Sequence, residues 1–131
     1  MGVCAFMASG VNFDVDRYLE SSPFKATVVF RKGEMPAKDY TRPDSGFVMV
    51  VSEDPGTDPT QKIRGAVLFL VQHEKELDRL RDIGAEHLLL DVGFETDDKL
   101  QHTEFLPPEL IAILTRFRMG LAISAHQFPR G

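Results

Sequence analysis

Residues 86–94, Glu86-His87-Leu88-Leu89-Leu90-Asp91-Val92-Gly93-Phe94, decide the fold of this chain. Three consecutive leucines followed by Val92 and Phe94 form a short continuous apolar run. Such a run reads as a strand in a central position, covered on at least one side. The longest helical signal lies upstream of it. Ile63, Ala66, Val67, Leu70 and Val71 recur at i, i+3, i+4, i+7 and i+8, which puts one broad apolar stripe along a helix. Leu77, Leu80 and Ile83 continue the stripe past Glu74-Lys75-Glu76, and Gly84 is placed to end it as a C-cap glycine. The spacing predicts one long helix or two in tandem, with a break around Gln72-His73.

Downstream, residues 95–104 are polar and acidic and read as a loop. Pro107-Pro108 then open a helix, where proline is tolerated in the first turn. Leu110, Ile111, Leu114 and Phe117 line its buried face, Gly120 lies just past its end, and residues 121–128 form a last strand before a frayed terminus. Towards the N-terminus, residues 3–9 read as a strand closed by Ser9-Gly10. Asp14 caps a short helix, Asp16 lies in its first turn, and Phe13 and Tyr18 have hydrophobic-staple spacing. Residues 25–31 are β-branched and aromatic and predict a second strand; residues 47–51 predict a third. Between them residues 32–45 hold Gly33, Pro36, Pro43 and six charged side chains, a long loop of the kind that often carries function.

The order is β-α-β-β-α-β-α-β, with no repeat, low-complexity segment or linker to split residues 1–131, so a single domain is expected. The fold class is α+β: one mixed, mostly antiparallel sheet of about five strands with helices on one face, a ferredoxin-like variant. The chain is 43% hydrophobic with 10 Phe, 2 Tyr and no Trp. Phe has no polar handle, so this composition points to a packed core and away from a sugar or base platform.

A formal charge of −5 carries no basic excess, so nucleic acid is not an expected partner. No stretch approaches the roughly 18 apolar residues that span a bilayer. The first residues lack the basic region of a signal peptide, and Phe6 stands where a myristoylation signal needs Ser or Thr. The single cysteine, Cys4, sits in an apolar run, reads as a buried strand thiol and suits the reducing cytoplasm. A soluble cytoplasmic protein is the expectation.

The sequence also resembles a known family. Ser9-Gly10, Asn12-Phe13-Asp14-Val15-Asp16, Arg31-Lys32-Gly33-Glu34, Thr41-Arg42-Pro43, Ser45-Gly46-Phe47 and Leu106-Pro107-Pro108-Glu109-Leu110 are similar to the bacterial domain-of-unknown-function family numbered 4279. The likeness extends over nearly the whole chain, with a final strand after Met119-Gly120. It departs at Glu95-Thr96-Asp97-Asp98, where that family often has a Gly-containing turn, and at Ser21-Ser22, where it usually has a leucine-glycine pair. The resemblance implies a small α+β domain and brings no catalytic residues with it.

Tests of individual motifs remove several activities. Asn12-Phe13-Asp14-Val15-Asp16 begins like an EF-hand loop, but the sixth and twelfth positions are Arg17 and Pro23 in place of glycine and glutamate. His73-Glu74 starts like a zincin helix, yet its second histidine would fall at Leu77. There is no Gly-x-Ser-x-Gly elbow, and Gly33 and Gly65 stand alone where a phosphate loop needs a cluster. His87 and Asp91 share a strand face by their even spacing. With His126 on a neighbouring strand they would make a zinc-type ligand set or the site of a small enzyme.

The charged loop remains the leading candidate. Arg31, Lys32, Lys38 and Arg42 flank Tyr40, with Glu34 and Asp39 among them, a pattern suited to a carboxylate, a phosphate or a partner surface. The acidic segment with Glu95, Asp97, Asp98 and Glu104 is a second candidate, for a basic partner. The function expected is therefore a non-enzymatic binding or interaction module, immunity-type or regulatory, without a cofactor. Its partner is another protein or a second copy joined through an exposed edge strand. The alternative is a small enzyme or a ligand- or metal-binding domain built around the strand histidines.

Overall fold

The computed structural model describes residues 3–53, 59–96 and 105–127. Nine elements follow one another: β1 (Val3–Gly10), α1 (Val15–Glu20), β2 (Val28–Phe30), β3 (Ser45–Glu53), α2 (Pro59–Gln72), α3 (Glu74–Asp82), β4 (His87–Thr96), α4 (Pro108–Arg116) and β5 (Gly120–Gln127). This is the predicted order, with the long helical stripe divided in two.

The division falls at His73. Its backbone N–H is shared between the carbonyls of Phe69 and Leu70, its ring Nδ1 donates to Phe69 O at 2.8 Å, and Leu77 N then bonds His73 O. An imidazole that engages the carbonyl one turn back competes for the backbone ladder and breaks the run. At the other end of α3 the chain reverses through Gly84, whose φ of +113° is open to glycine and strained for other residues. Ala85 N reaches back to Leu80 O there, closing the helix end. The end of α4 is different. Arg118 takes the left-handed turn with φ of +51°, and Gly120 belongs to β5. At α1, Asp14 caps as expected, accepting from Arg17 N at 3.2 Å.

The sheet order is β2-β3-β1-β4-β5. The pairings β2–β3, β3–β1 and β1–β4 are antiparallel, and β4–β5 is parallel. β1 and β2 therefore run the same way with β3 between them, and β3 and β4 run the same way with β1 between them. These are two interleaved split β-α-β units, as in a ferredoxin-like plait, and β5 extends that order as a fifth strand. Three strands differ in extent from the sequence reading, β4 among them, since it runs on through Thr96 into the segment read as a loop. β2 pairs over three residues rather than seven: Val28, Val29 and Phe30 are in register with β3, and Thr27 N adds one bond to Val48 O. β3 is longer than expected and carries a bulge opposite Cys4 and Ala5, which lets it follow β1 for its whole length.

All the helices lie against one face. Cys4, Phe6 and Ala8 of β1, Phe47 and Met49 of β3, and Leu88, Leu90, Val92 and Phe94 of β4 form a single buried cluster with α1, α2, α3 and α4. Its centre is aromatic. Phe47 stacks on Tyr18 at 5.8 Å and meets the rings of Phe6, Phe13 and Phe24. Tyr18 keeps its hydroxyl satisfied by donating to Glu76 Oε1 at 2.5 Å, so its ring can be buried without leaving an unpaired polar group.

Burial pushes the Cys4 thiol up from 9.0 to about 11. The fold thus holds the neutral thiol. The stability this lends is present below pH 9.0 and lost as pH rises through about 11. In a disulfide-exchange assay at about pH 8, the native chain is expected to stay unmodified while the denatured chain reacts fully. Prompt modification of the native chain would contradict the burial described here.

Candidate functional site

The helices leave the second face of the sheet bare among the described residues, and that face is apolar. Strand geometry sends alternate side chains to opposite faces, so β1 presents Val3, Ala5 and Met7 away from the helices. In register with them lie Val48 and Val50 of β3, Leu89 of β4 and Ala122 of β5, with Val28 on β2. Val28 is 50% exposed and Val50 41%. An antiparallel sheet with one solvated face ordinarily alternates apolar-in with polar-out. Here β1 is apolar on both sides. The polar positions of the face are Asp91 and Ser124, which bond each other at 2.9 Å through Ser124 Oγ, Ser9 and His87 at one end, and, towards the other end, Glu53 opposite Val3 and Glu95 opposite His126.

The charged loop stands at a corner of this face. Phe30 turns its ring onto the bare side, over Gly46, and Arg42 lies over that ring at 5.2 Å. Gly33 N bonds Arg42 O and Arg42 N bonds Glu34 O, which closes the loop on itself. Lys32 N bonds Ser45 Oγ at 2.8 Å. Arg31 makes a two-pronged contact with Asp16, at 2.9 and 2.7 Å, and its backbone N–H donates to Glu34. The hydrogen bond from Arg31 holds the Asp16 carboxyl below its ordinary value. Both arginine forks thus serve the fold: Arg31 binds α1 to the loop, and Arg42 covers Phe30. Lys32, Lys38 and Tyr40 face solvent, and Asp39 sits in a left-handed turn with φ of +64°. Within the loop, Arg31, Glu34 and Arg42 come together, and Asp16 joins them from another element.

The acidic segment divides differently. Glu95 is a β4 position paired with His126, while Asp97, Asp98 and Glu104 lie outside the described residues.

The strand-histidine site is corrected by the register. His87 opposes Ser9 and Asp91 opposes Ala122, while His126 opposes Glu95. His87 and Asp91 do share a face, but four residues of strand separate them, about 13 Å at ~3.3 Å per residue. His126 lies level with a position four residues further on. Three groups strung along roughly 26 Å of strand cannot share one ion, since zinc draws its ligands to about 2 Å. Among the described residues no three His, Cys, Asp or Glu side chains converge on a metal site.

One buried ion escaped the sequence reading. Lys62 on α2 is 4% exposed, with its ammonium donating to Gly93 O and lying over the Phe94 ring at 4.8 Å. Its backbone carbonyl accepts from Ser52 Oγ and faces the Cys4 thiol. The signal was in the spacing. Lys62 precedes Ala66 by one turn and Leu70 by two, which places it on the buried stripe. The carbonyl and the ring meet its charge, so it is a strut between α2 and β4.

A smaller apolar surface lies on the helix layer. Ile63, Val67, Leu68, Phe105 and Pro107 line a groove of about 470 Å³ between α2 and α4, with Arg64 and Glu109 beside it. Phe105 there is 75% exposed.

Fold and face together define a two-layer α+β protein with an open-faced mixed sheet, helices on one side and an apolar sheet surface on the other. No protein-family model, curated protein or solved structure matches the chain. Among the described residues, no helix is long and apolar enough to cross a membrane.

Proposed function

We propose that this chain is a non-enzymatic interaction module that docks a protein surface on the bare face of its sheet. The observation that carries the reading is the apolar surface across all five strands, Val28, Val48, Met7, Leu89, Val50, Ala5 and Ala122, on a side that no described helix covers. Contiguous apolar patches beyond a few hundred Å² are rare on soluble monomers and mark interaction sites. Arg42 of the corner loop covers the Phe30 ring at the edge of this surface, and Lys32, Lys38 and Tyr40 of the same loop are exposed to solvent. An immunity-type or regulatory protein that masks its partner is one form of this role. The lone buried thiol of Cys4 fits a reducing cytoplasm, and the bacterial likeness belongs to the same reading. Neither nucleic acid nor a membrane enters it.

The test is photo-crosslinking in the cell of origin. A photoreactive phenylalanine analogue in place of Val50 is expected to give a discrete heavier adduct, and the same analogue in place of Val11, in the turn after β1, to give none. A chain that remains free from position 50 would overturn the proposal.

A further inference from the structure

We infer that the protein surface docked on the bare face is apolar and brings a cationic side chain, arginine or lysine, to Asp91. The inference rests on the interaction reading above and gives its partner a chemistry. Asp91 lies in the row of Val50, Ala5 and Ala122, a half-buried carboxylate among apolar side chains. A carboxylate has about four acceptor sites. Among the described residues one donor reaches it, the Ser124 hydroxyl, whose single proton is shared between the two oxygens at 2.9 and 3.1 Å. Solvent must meet the remaining sites while the face is bare. A docked apolar surface strips that solvent away, and a carboxylate dried without a charged donor is strongly unfavourable. The apolar rows are shallow, with Ser9 and His87 at one end and Glu53 beside Val3 at the other, so apolar burial alone has little to set against that cost.

Charge and side-chain size favour the same answer. Among the described residues no strand position on the face is lysine or arginine, and its other charged positions, Glu53 and Glu95, are acidic as well. Arg42 is held at the corner, over the Phe30 ring. The partner therefore has to supply the cation. Ala5 on β1 and Ala122 on β5 stand to either side of Asp91, and Gly93 follows it on the same face. Side chains this short leave the carboxylate open to a long side chain from above. The stem of an arginine or lysine can lie along Met7, Leu89 and Val50 with its charged head on Asp91. A guanidinium fork also matches the two carboxylate oxygens.

The experiment is an amide-resonance titration of the intact chain with three probes of one alkyl length: hexylguanidinium, hexanol and hexanoate. Hexylguanidinium is expected to shift the amide resonances of Ala5, Asp91 and Ala122 with half-saturation at roughly 1–10 mM. It should bind about threefold more tightly than hexanol, added salt should narrow that gap, and hexanoate should bind more weakly than hexanol. Asp91→Asn is expected to bring hexylguanidinium level with hexanol. Asp82→Asn removes the same charge from an exposed position at the end of α3 and should leave the gap intact. Equal binding of hexylguanidinium and hexanol to the native chain overturns the inference, as does a gap that survives Asp91→Asn. Should that variant fail to fold, the native map decides: hexylguanidinium shifts centred on Ile63 and Val67 in the helix-layer groove would overturn it. The crosslink from position 50 keeps the two readings apart. An adduct whose yield falls at least about threefold in Asp91→Asn supports both. A partner captured equally well by Asp91→Asn keeps the interaction module and removes the cationic contact. No adduct in either chain removes the interaction module and its partner together.

Discussion

Phe47→Ala is expected to lower the stability of the chain by about 4 kcal/mol, as read from the urea midpoint with an unchanged slope. Phe47 is fully buried, and four rings converge on it: Phe6 at 6.1 Å, Tyr18 stacked at 5.8 Å, and Phe13 and Phe24 at 6.4 Å. Truncation removes the transfer free energy of the ring and leaves a void that rigid neighbours on β1, α1 and the 21–27 connection cannot close. It also ends four aromatic contacts worth roughly 0.5–1.5 kcal/mol each beyond their area. A domain of this size holds only about 5–15 kcal/mol in total, so the variant should melt roughly 15 °C lower, at ~4 °C per kcal/mol. Phe47→Leu keeps most of the volume and should cost no more than about 1.5 kcal/mol. A loss under 2 kcal/mol for the alanine variant would mean that the aromatic cluster is not the centre of the core.

Phe47 also marks how far the sequence could be read. Its burial was legible, because a Phe-rich chain with no Trp has few other uses for so many rings. The apolar run of β4, the helical stripe, its break near His73 and the cap at Gly84 were legible too, since each is a local matter of spacing or backbone freedom. What was not legible depends on who pairs with whom. Val28, Val29 and Phe30 are strand-forming, and so are their neighbours. Propensity describes the pleat, while only a partner on β3 decides that three residues join the ladder.

The same limit hid the bare apolar face of the sheet. In β1, Val3, Ala5 and Met7 are as apolar as Cys4, Phe6 and Ala8, so alternation cannot say which set meets the helices. The histidine site failed for a related reason. Even spacing gives a shared face and says nothing of separation along the strand, which only the register of β4 against β5 supplies. The Arg31–Asp16 contact joins residues fifteen apart in sequence, one in α1 and one just past β2. That is why the sequence could name Arg31 and Arg42 as candidate binding groups without showing that both are engaged within the fold.

Gly46 joins this face to the core, and replacing it should be the second most damaging change. A side chain there would run into the carbonyl oxygen of Ala8 on the paired strand, into Phe30 Cζ at 2.6 Å and into Ser9 Cβ at 2.8 Å. The glycine is required by close approach, where β1 and β3 pair and the Phe30 ring lies flat across them. Gly46→Ala is expected to cost about 3 kcal/mol, at the upper end for overpacking, because one of the obstructing atoms is backbone in a ladder and cannot rotate away. The damage should reach the bare face as well. Displacing Phe30 takes away the ring under Arg42 and, with it, one support of the corner loop.

A double-mutant cycle separates the two obstructions. Phe30→Ala opens space for the new methyl group against the ring and does nothing for the Ala8 carbonyl. The double variant should therefore lose less than the sum of the two single losses, with a coupling of about 1 kcal/mol, and still fall well short of Phe30→Ala alone. Full recovery to the level of Phe30→Ala would show that the ring was the sole obstacle and that β1 and β3 tolerate a side chain between them. A strictly additive cycle would show that Phe30 does not rest on Gly46 at all.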